Sequence, residues 1–234
     1  MAYQAVEEIQ NRCEKEGIPF WKAVQLEDCE ENGITEEESW HQMTLMWTRM
    51  KEGIDAYNPS EISRSGLIGK EGGLMDEYRQ NEKPLFGDFV SKVIANALKM
   101  GCNNACMKRI VAAPTAGACG VMPAAAICSV RGGSEAQVGY ACAMALKNLM
   151  GLVCDPVAGL VEVPCVKRNV GGAVNALAAA DMALAGIISQ IPVDQVIDAM
   201  GEVGMKMDVS LRETSLGGVA VSPRGIEIAE KLGM

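Results

Sequence analysis

The residues best equipped for chemistry in this 234-residue chain are its nine cysteines. Three stand apart by their neighbours. Cys119 lies in GACG, Cys154 in VCDP and Cys165 in VPC, each stretch interrupted by glycine or proline. A helix buries a thiol among its own neighbours, whereas a turn presents it outward, so thiols on turns can converge. Three converging thiolates suit a tetrahedral metal site or an iron–sulfur cluster. The C-x10-C spacing of Cys154 and Cys165 is too long for a zinc knuckle. On residue types alone, a metal centre and plain packing both stay open. Cys102 and Cys106, in GCNNAC, share a helical face but have no third donor nearby. Together with Cys13, Cys29, Cys128 and Cys142 they read as packing residues. A thiol-redox role for Cys102 and Cys106 is a weaker alternative. The single histidine, His41, is distant in sequence from the three turns and reads as non-catalytic.

Composition narrows the function classes. The formal net charge is -9, which disfavours nucleic acid and anionic membrane surfaces, because phosphate binding needs clustered Lys and Arg. No stretch approaches the roughly 20 apolar residues of a spanning helix. The opening MAYQAVEEIQNRCEKEG is charged and amphipathic, unlike a secretion signal, so a cytoplasmic location is expected. There, structural disulfides are not expected, and an odd cysteine count argues the same way.

The elements that must position these thiols read as all-α. Low aromatic content and abundant Ala, Val, Leu, Ile and Met favour close-packed helices. Residues 1–57 read as helices, with Thr35 and Glu38 as a capping box before a stripe of Trp40, Met43, Trp47, Met50 and Ile54. NPSEISRSGLIGKEGG (58–73) reads as loop, and Phe86–Met100 as helix. In AAPTAGACGVMPAAA (112–126), Pro114, Gly117, Gly120 and Pro123 predict a series of turns around Cys119. Helices are expected over 135–150, over 171–186, and from Val193 to Met207 behind Pro192 and Asp194. We expect an N-terminal helical segment (1–58) continuous with a cluster-binding catalytic region (59–234).

APTAGACGVMPA, GLVCDPVAGLVEVPCVKRN and MDVSLRETSLGG, with SRSGLIG at 63–69 and GDF at 87–89, closely resemble the α chain of bacterial iron–sulfur L-serine dehydratase (L-serine ammonia-lyase). The likeness covers most of the chain from about residue 60 onward. It implies an all-helical fold and a [4Fe–4S] cluster held by Cys119, Cys154 and Cys165. It also implies elimination of water from L-serine to pyruvate and ammonia without pyridoxal phosphate, and an accompanying β chain. The chain departs from the pattern between GACG and VCDP. Relatives carry several dozen more residues there, and CSVRGGSEAQVGYACAMALKNLMGL looks like two helices shortened and joined. Two explanations stay open: intervening loops closed up in this sequence, or a true deletion, which would bear on the packing around Cys119 and on activity.

The chemistry accounts for the residue types. The β-hydroxyl of serine is a poor leaving group, and three thiolates on a four-iron cluster leave one iron free to act on it as a Lewis acid. Backbone N–H groups and the Thr115 hydroxyl of the turn Thr115-Ala116-Gly117-Ala118 are expected to hold the substrate carboxylate. Asp155 is the candidate base, although its place before Pro156 equally suits a structural corner. Lys167, Arg168 and Asn169, and likewise Arg212, Glu213 and Thr214, fit either a site or a solvated surface. The chain shows no obvious base for the α-proton, so the β chain is expected to contribute one. The rival expectation is a non-catalytic iron–sulfur or zinc-binding scaffold derived from a shortened lyase.

Overall fold

Alanine sets how closely the helices of this protein approach one another. In the computed structural model, which describes residues 3–111 and 118–234 and the side chains of all these but 118–121, the described residues form ten α-helices and no strand. The helices are α1 (Val6–Glu16), α2 (Phe20–Asn32), α3 (Glu36–Asp55), α4 (Glu71–Asn81), α5 (Gly87–Ala105), α6 (Ala118–Val130), α7 (Glu135–Leu149), α8 (Cys165–Leu184), α9 (Val193–Lys206) and α10 (Pro223–Lys231).

The centre is a three-helix layer of α6, α7 and α8. Ala124 and Cys128 of α6 pack with Val138, Ala141 and Ala145 of α7 and with Ala176, Ala179, Ala180 and Ala183 of α8. With alanine methyl groups at most of these contacts, the axes can approach to the short end of the ordinary 8–10 Å range. Helix α7 is sheathed so completely that Ala141 through Leu146 are all buried. Gln137 Nε2 donates to the Ala183 carbonyl at 2.9 Å, and Asn148 Nδ2 donates to Asn175 Oδ1 at 2.7 Å. These bonds tie the start of α7 to the end of α8 and the end of α7 to the middle of α8. Helix α7 therefore runs antiparallel to α8. It also runs antiparallel to α6, to which it is joined by a short turn. Helices α6 and α8 are thus parallel, and their N-termini lie at the same end of the layer.

Two further cores flank the layer. Cys142, Ala143 and Leu146 meet Val193 and Val196 of α9. Ile68, Leu98 and Cys102 meet Val166 at the start of α8. A Cβ on Gly101 would sit 2.8 Å from the Val166 side chain, so only glycine lets α5 lie this close to α8. The N-terminal helices dock onto the same body. The Asp194 carboxylate, in the first turn of α9, accepts from the N–H groups of Val6 and Glu7 at 2.7 and 3.0 Å and so caps α1 from 187 residues away.

Several sequence expectations hold and some need correction. The capping box is formed: the Thr35 N–H donates to Glu38 Oε2 at 2.8 Å, and the Glu38 N–H donates to Thr35 Oγ1 at 3.2 Å. Cys13, Cys29, Cys128 and Cys142 are buried as expected. Helix α5 outlasts its expected end at Met100 and runs through GCNNA. Helix α8 begins at Cys165, not at 171. Gly120 and Pro123 do not break the chain after Cys119. Ala118–Val130 is one helix with Pro123 inside it, because packing between α7 and α8 outweighs the local cost of proline. Helix α4 falls where only loop and unassigned chain were expected.

Candidate functional site

Arg168 organises the site. It lies three residues into α8 from Cys165, so the two side chains share a helical face. Its Nη1 donates to the Val153 carbonyl at 2.7 Å and to Asp155 Oδ1 at 2.5 Å. These partners flank Cys154 on either side. One guanidinium therefore fastens the VCDP corner to the first turn of α8 and sets Cys154 next to Cys165. The two thiols are electrostatic neighbours. Burial pushes Cys165 up first and the nearby Cys154 adds to this, while Arg168 opposes both. Burial likewise raises Cys154, followed by Glu213, again with Arg168 opposing.

The corner is held from the other side by the RETSLGG segment. The Cys154 N–H donates to the Leu211 carbonyl at 2.9 Å, and the Glu213 N–H donates to the Cys154 carbonyl at 2.7 Å. Cys154 and Arg212 thus form an isolated parallel bridge, while the regular elements of the described residues are helices. Ser215 Oγ donates to the Pro156 carbonyl at 2.7 Å. The second oxygen of Asp155 accepts from the Val219 N–H at 2.6 Å. Asp155 is only 2% exposed, and both of its oxygens are engaged. Gly218, at φ +61°, lies so close that any Cβ there would collide with that carboxylate.

A second clamp was not foreseen. Glu162, three residues before Cys165, is buried and takes the Ser63 hydroxyl at 3.0 Å on Oε2. The Ser65 hydroxyl donates to the same oxygen. The SRSG loop is thereby pinned under the VEVPC turn from about 100 residues away. A glutamate in an apolar stretch was the one available signal, since such a carboxylate must find partners when buried.

Three thiols on three turns is not what the structure shows. Cys154 alone lies on irregular chain. Cys165 is the first residue of α8, and Cys119 is in the first turn of α6. Because α6 and α8 are parallel, both of these positions belong to helix starts at one end of the layer. The partial positive charge of a helix start favours thiolate over thiol. The Cys119 and Ala118 side chains, and Thr115, Ala116 and Gly117 altogether, lie outside the described residues. Among the described residues no three His, Cys, Asp or Glu side chains form a metal-binding group.

The remaining candidates have structural partners. Arg212 Nε donates to the Met207 carbonyl at 2.7 Å and Nη2 to Met205 at 2.5 Å, closing the C-terminus of α9. Thr214 Oγ1 donates to the Val209 carbonyl at 2.9 Å. Lys167 pairs with Glu71 at 3.0 Å on the outer face of α8. His41 is exposed on α3. Cys102 is buried against Glu71, and burial raises both its thiol and that of Cys106.

The segments folded together here, SRSGLIG, GLVCDPVAGLVEVPCVKRN and MDVSLRETSLGG, are among those that carried the resemblance, and comparison with known proteins bears it out. The serine dehydratase alpha chain family model matches residues 15–125 and 122–220. The chain belongs to the serine dehydratase alpha chain family. A probable L-serine dehydratase alpha chain of Bacillus subtilis is 37% identical over 247 residues, covering 82% of this chain and 81% of that one. The L-serine dehydratase alpha chain of Peptoniphilus asaccharolyticus is 34% identical over 277 residues, covering 94% and 95%. A probable alpha chain from Latilactobacillus sakei reaches 53% identity over 137 residues, 58% of this chain and 63% of that one. The shortening is visible here too. Since 82% of 234 residues is about 192, the 247 aligned positions with the B. subtilis protein exceed the residues this chain contributes by about 55. The two matched stretches of the family model meet at 122–125, inside α6. No helix among the described residues is long and apolar enough to cross a membrane.

Proposed function

We propose that this chain is the α subunit of an L-serine ammonia-lyase and that Cys119, Cys154 and Cys165 hold a [4Fe–4S] cluster. The observation that carries the reading is the Arg168 clamp, which sets Cys154 beside Cys165 in a chain of this family. The donors suit the group. Two half-buried thiols adjoin a guanidinium that offsets thiolate charge, at the N-terminus of one helix, and the third cysteine is carried by the parallel helix beside it. When bound, a cluster with three protein ligands supplies an iron open to the hydroxyl of serine.

The chain's own residues do the holding. Arg168 and Asp155 fix the corner that carries Cys154. Glu162 fixes the turn that carries Cys165. The segment Thr115–Ala118 leads into the N-terminus of α6, and N–H groups at a helix start can donate to a substrate carboxylate. Asp155 serves as a post, not as the base, since both of its oxygens are already committed. The α-proton acceptor then comes from a β chain, as the name alpha chain in the relatives suggests.

The shortened α6–α7 region motivates a second reading, a cluster or zinc scaffold without turnover. Iron, zinc and sulfide content of anaerobically purified protein, measured with pyruvate formation from serine, separates the two. Brown colour with turnover supports the lyase, iron or zinc without turnover supports the scaffold, and absence of both iron and zinc sinks each. Cys154→Ala and Cys165→Ala should lose the iron, whereas Cys13→Ala should keep it.

A further inference from the structure

The apolar stripe of α3 faces solvent. Trp40, Met43 and Trp47 are 63%, 59% and 59% exposed, and Met50 is 37% exposed. Among the described residues the helix is held only near its ends. Ser39 Oγ donates to Asp28 of α2 at 3.3 Å, and Asn103 of α5 donates to the Gly53 carbonyl at 2.5 Å. Between these anchors the stripe stands free, and Trp21 of α2 extends it by packing on Trp40 with ring centroids 6.4 Å apart. A helix that is amphipathic in sequence and apolar toward water is the mark of an interface.

We propose that a second copy of this chain covers the stripe in an antiparallel, two-fold pairing of α3 with α3. The order of residues supports a self-complementary partner. Positions 40, 43, 47 and 50 are symmetric about residue 45. A two-fold axis there sets Trp40 against Met50 of the other copy and Met43 against its Trp47, a large residue facing a flexible one at each step. One charge pair follows the same symmetry. The first turn of α3 is acidic (Glu36, Glu37, Glu38), while toward its other end Arg49 already pairs with Glu52 at 2.6 Å and Lys51 does not. Antiparallel pairing brings Glu37 of each copy toward Lys51 of the other. Glu37 and Lys51 have no ion-pair partner among the described residues, and Lys51 lies over the Trp47 ring at 5.5 Å. The area is adequate. With aromatic residues burying about 150–250 Å² each, the half-exposed Trp and Met side chains offer on the order of 500 Å² per copy. That gives roughly 1,000 Å² for the pair, the threshold of a specific interface.

Sedimentation of the full chain tests this. The parent chain should be dimeric at roughly 100 µM and dissociate on dilution. Trp47→Glu should be monomeric with an unchanged helical circular dichroism spectrum. Lys51→Glu and Glu37→Lys should each weaken the dimer about tenfold, because a two-fold axis makes every reversal act twice. The combined variant should restore the parent affinity, which only a surface meeting itself allows. A parent chain that stays monomeric throughout, as it would if a β chain or a lipid surface were the true occupant, overturns the proposal. So does a dimer that survives Trp47→Glu, or a combined variant that remains monomeric.

Discussion

Replacing Asp155 separates a post from a base. In the folded chain its carboxylate is 2% exposed and accepts from Arg168 at 2.5 Å and from the Val219 N–H at 2.6 Å. Asp155→Ala removes both bonds. Leaving a buried N–H unpaired costs about 1–3 kcal/mol. Breaking a fully buried ion pair costs about 3–5 kcal/mol, but the Arg168 side chain is 28% exposed. It can take water and keep its bond to Val153, so its share falls to the low end. The total expected loss is about 3–4 kcal/mol, or roughly 10 °C in Tm for a chain of this size. Asp155→Asn keeps one acceptor for Val219 and turns its amide toward Arg168, so about half of that loss is expected. Urea unfolding followed by circular dichroism, on protein free of metal, measures both variants, because the clamp is made of protein groups alone. An alanine variant with the parent midpoint would refute the structural account. An asparagine variant with parent stability and full iron content but no turnover would reinstate Asp155 as the base.

Three other outcomes follow from the same geometry. Glu162→Ala should cost about 2 kcal/mol by stranding the Ser63 and Ser65 hydroxyls, and limited proteolysis should then cut faster within residues 60–69. Gly218→Ala combines φ +61° with a collision against Asp155, and should lower stability by about 3 kcal/mol or more in a melting experiment. Burial pushes the Cys142 thiol up from its ordinary 9.0 to about 12. The unfolded chain therefore releases this proton first, and the stability associated with it, intact below pH 9, is lost as pH rises from 9 toward 12. Between pH 8 and 10 this one thiol should account for about 1.4 kcal/mol of lost stability. Cys142→Ala should flatten the denaturation midpoint against pH by that amount.

The sequence by itself determined what one or two turns of backbone can encode. Thr35 and Glu38 announce a helix start because both halves of that bond lie within four residues. The alanine-rich periodicity announces helices that pack closely, and the motifs around Cys119, Cys154 and Cys165 announce the family. Tertiary structure decided the rest. Gly120 and Pro123 have the local signature of turns, yet burial between α7 and α8 keeps that stretch helical. The stripe of Trp40, Met43, Trp47 and Met50 has the signature of a core face, yet nothing within the chain covers it among the described residues. The clamps that make the site, Arg168 on Val153 and Asp155 and Glu162 on Ser63 and Ser65, join segments up to about 100 residues apart. Spacing along the chain carries no record of such contacts, because a buried charge is fixed by whichever partner the fold brings to it.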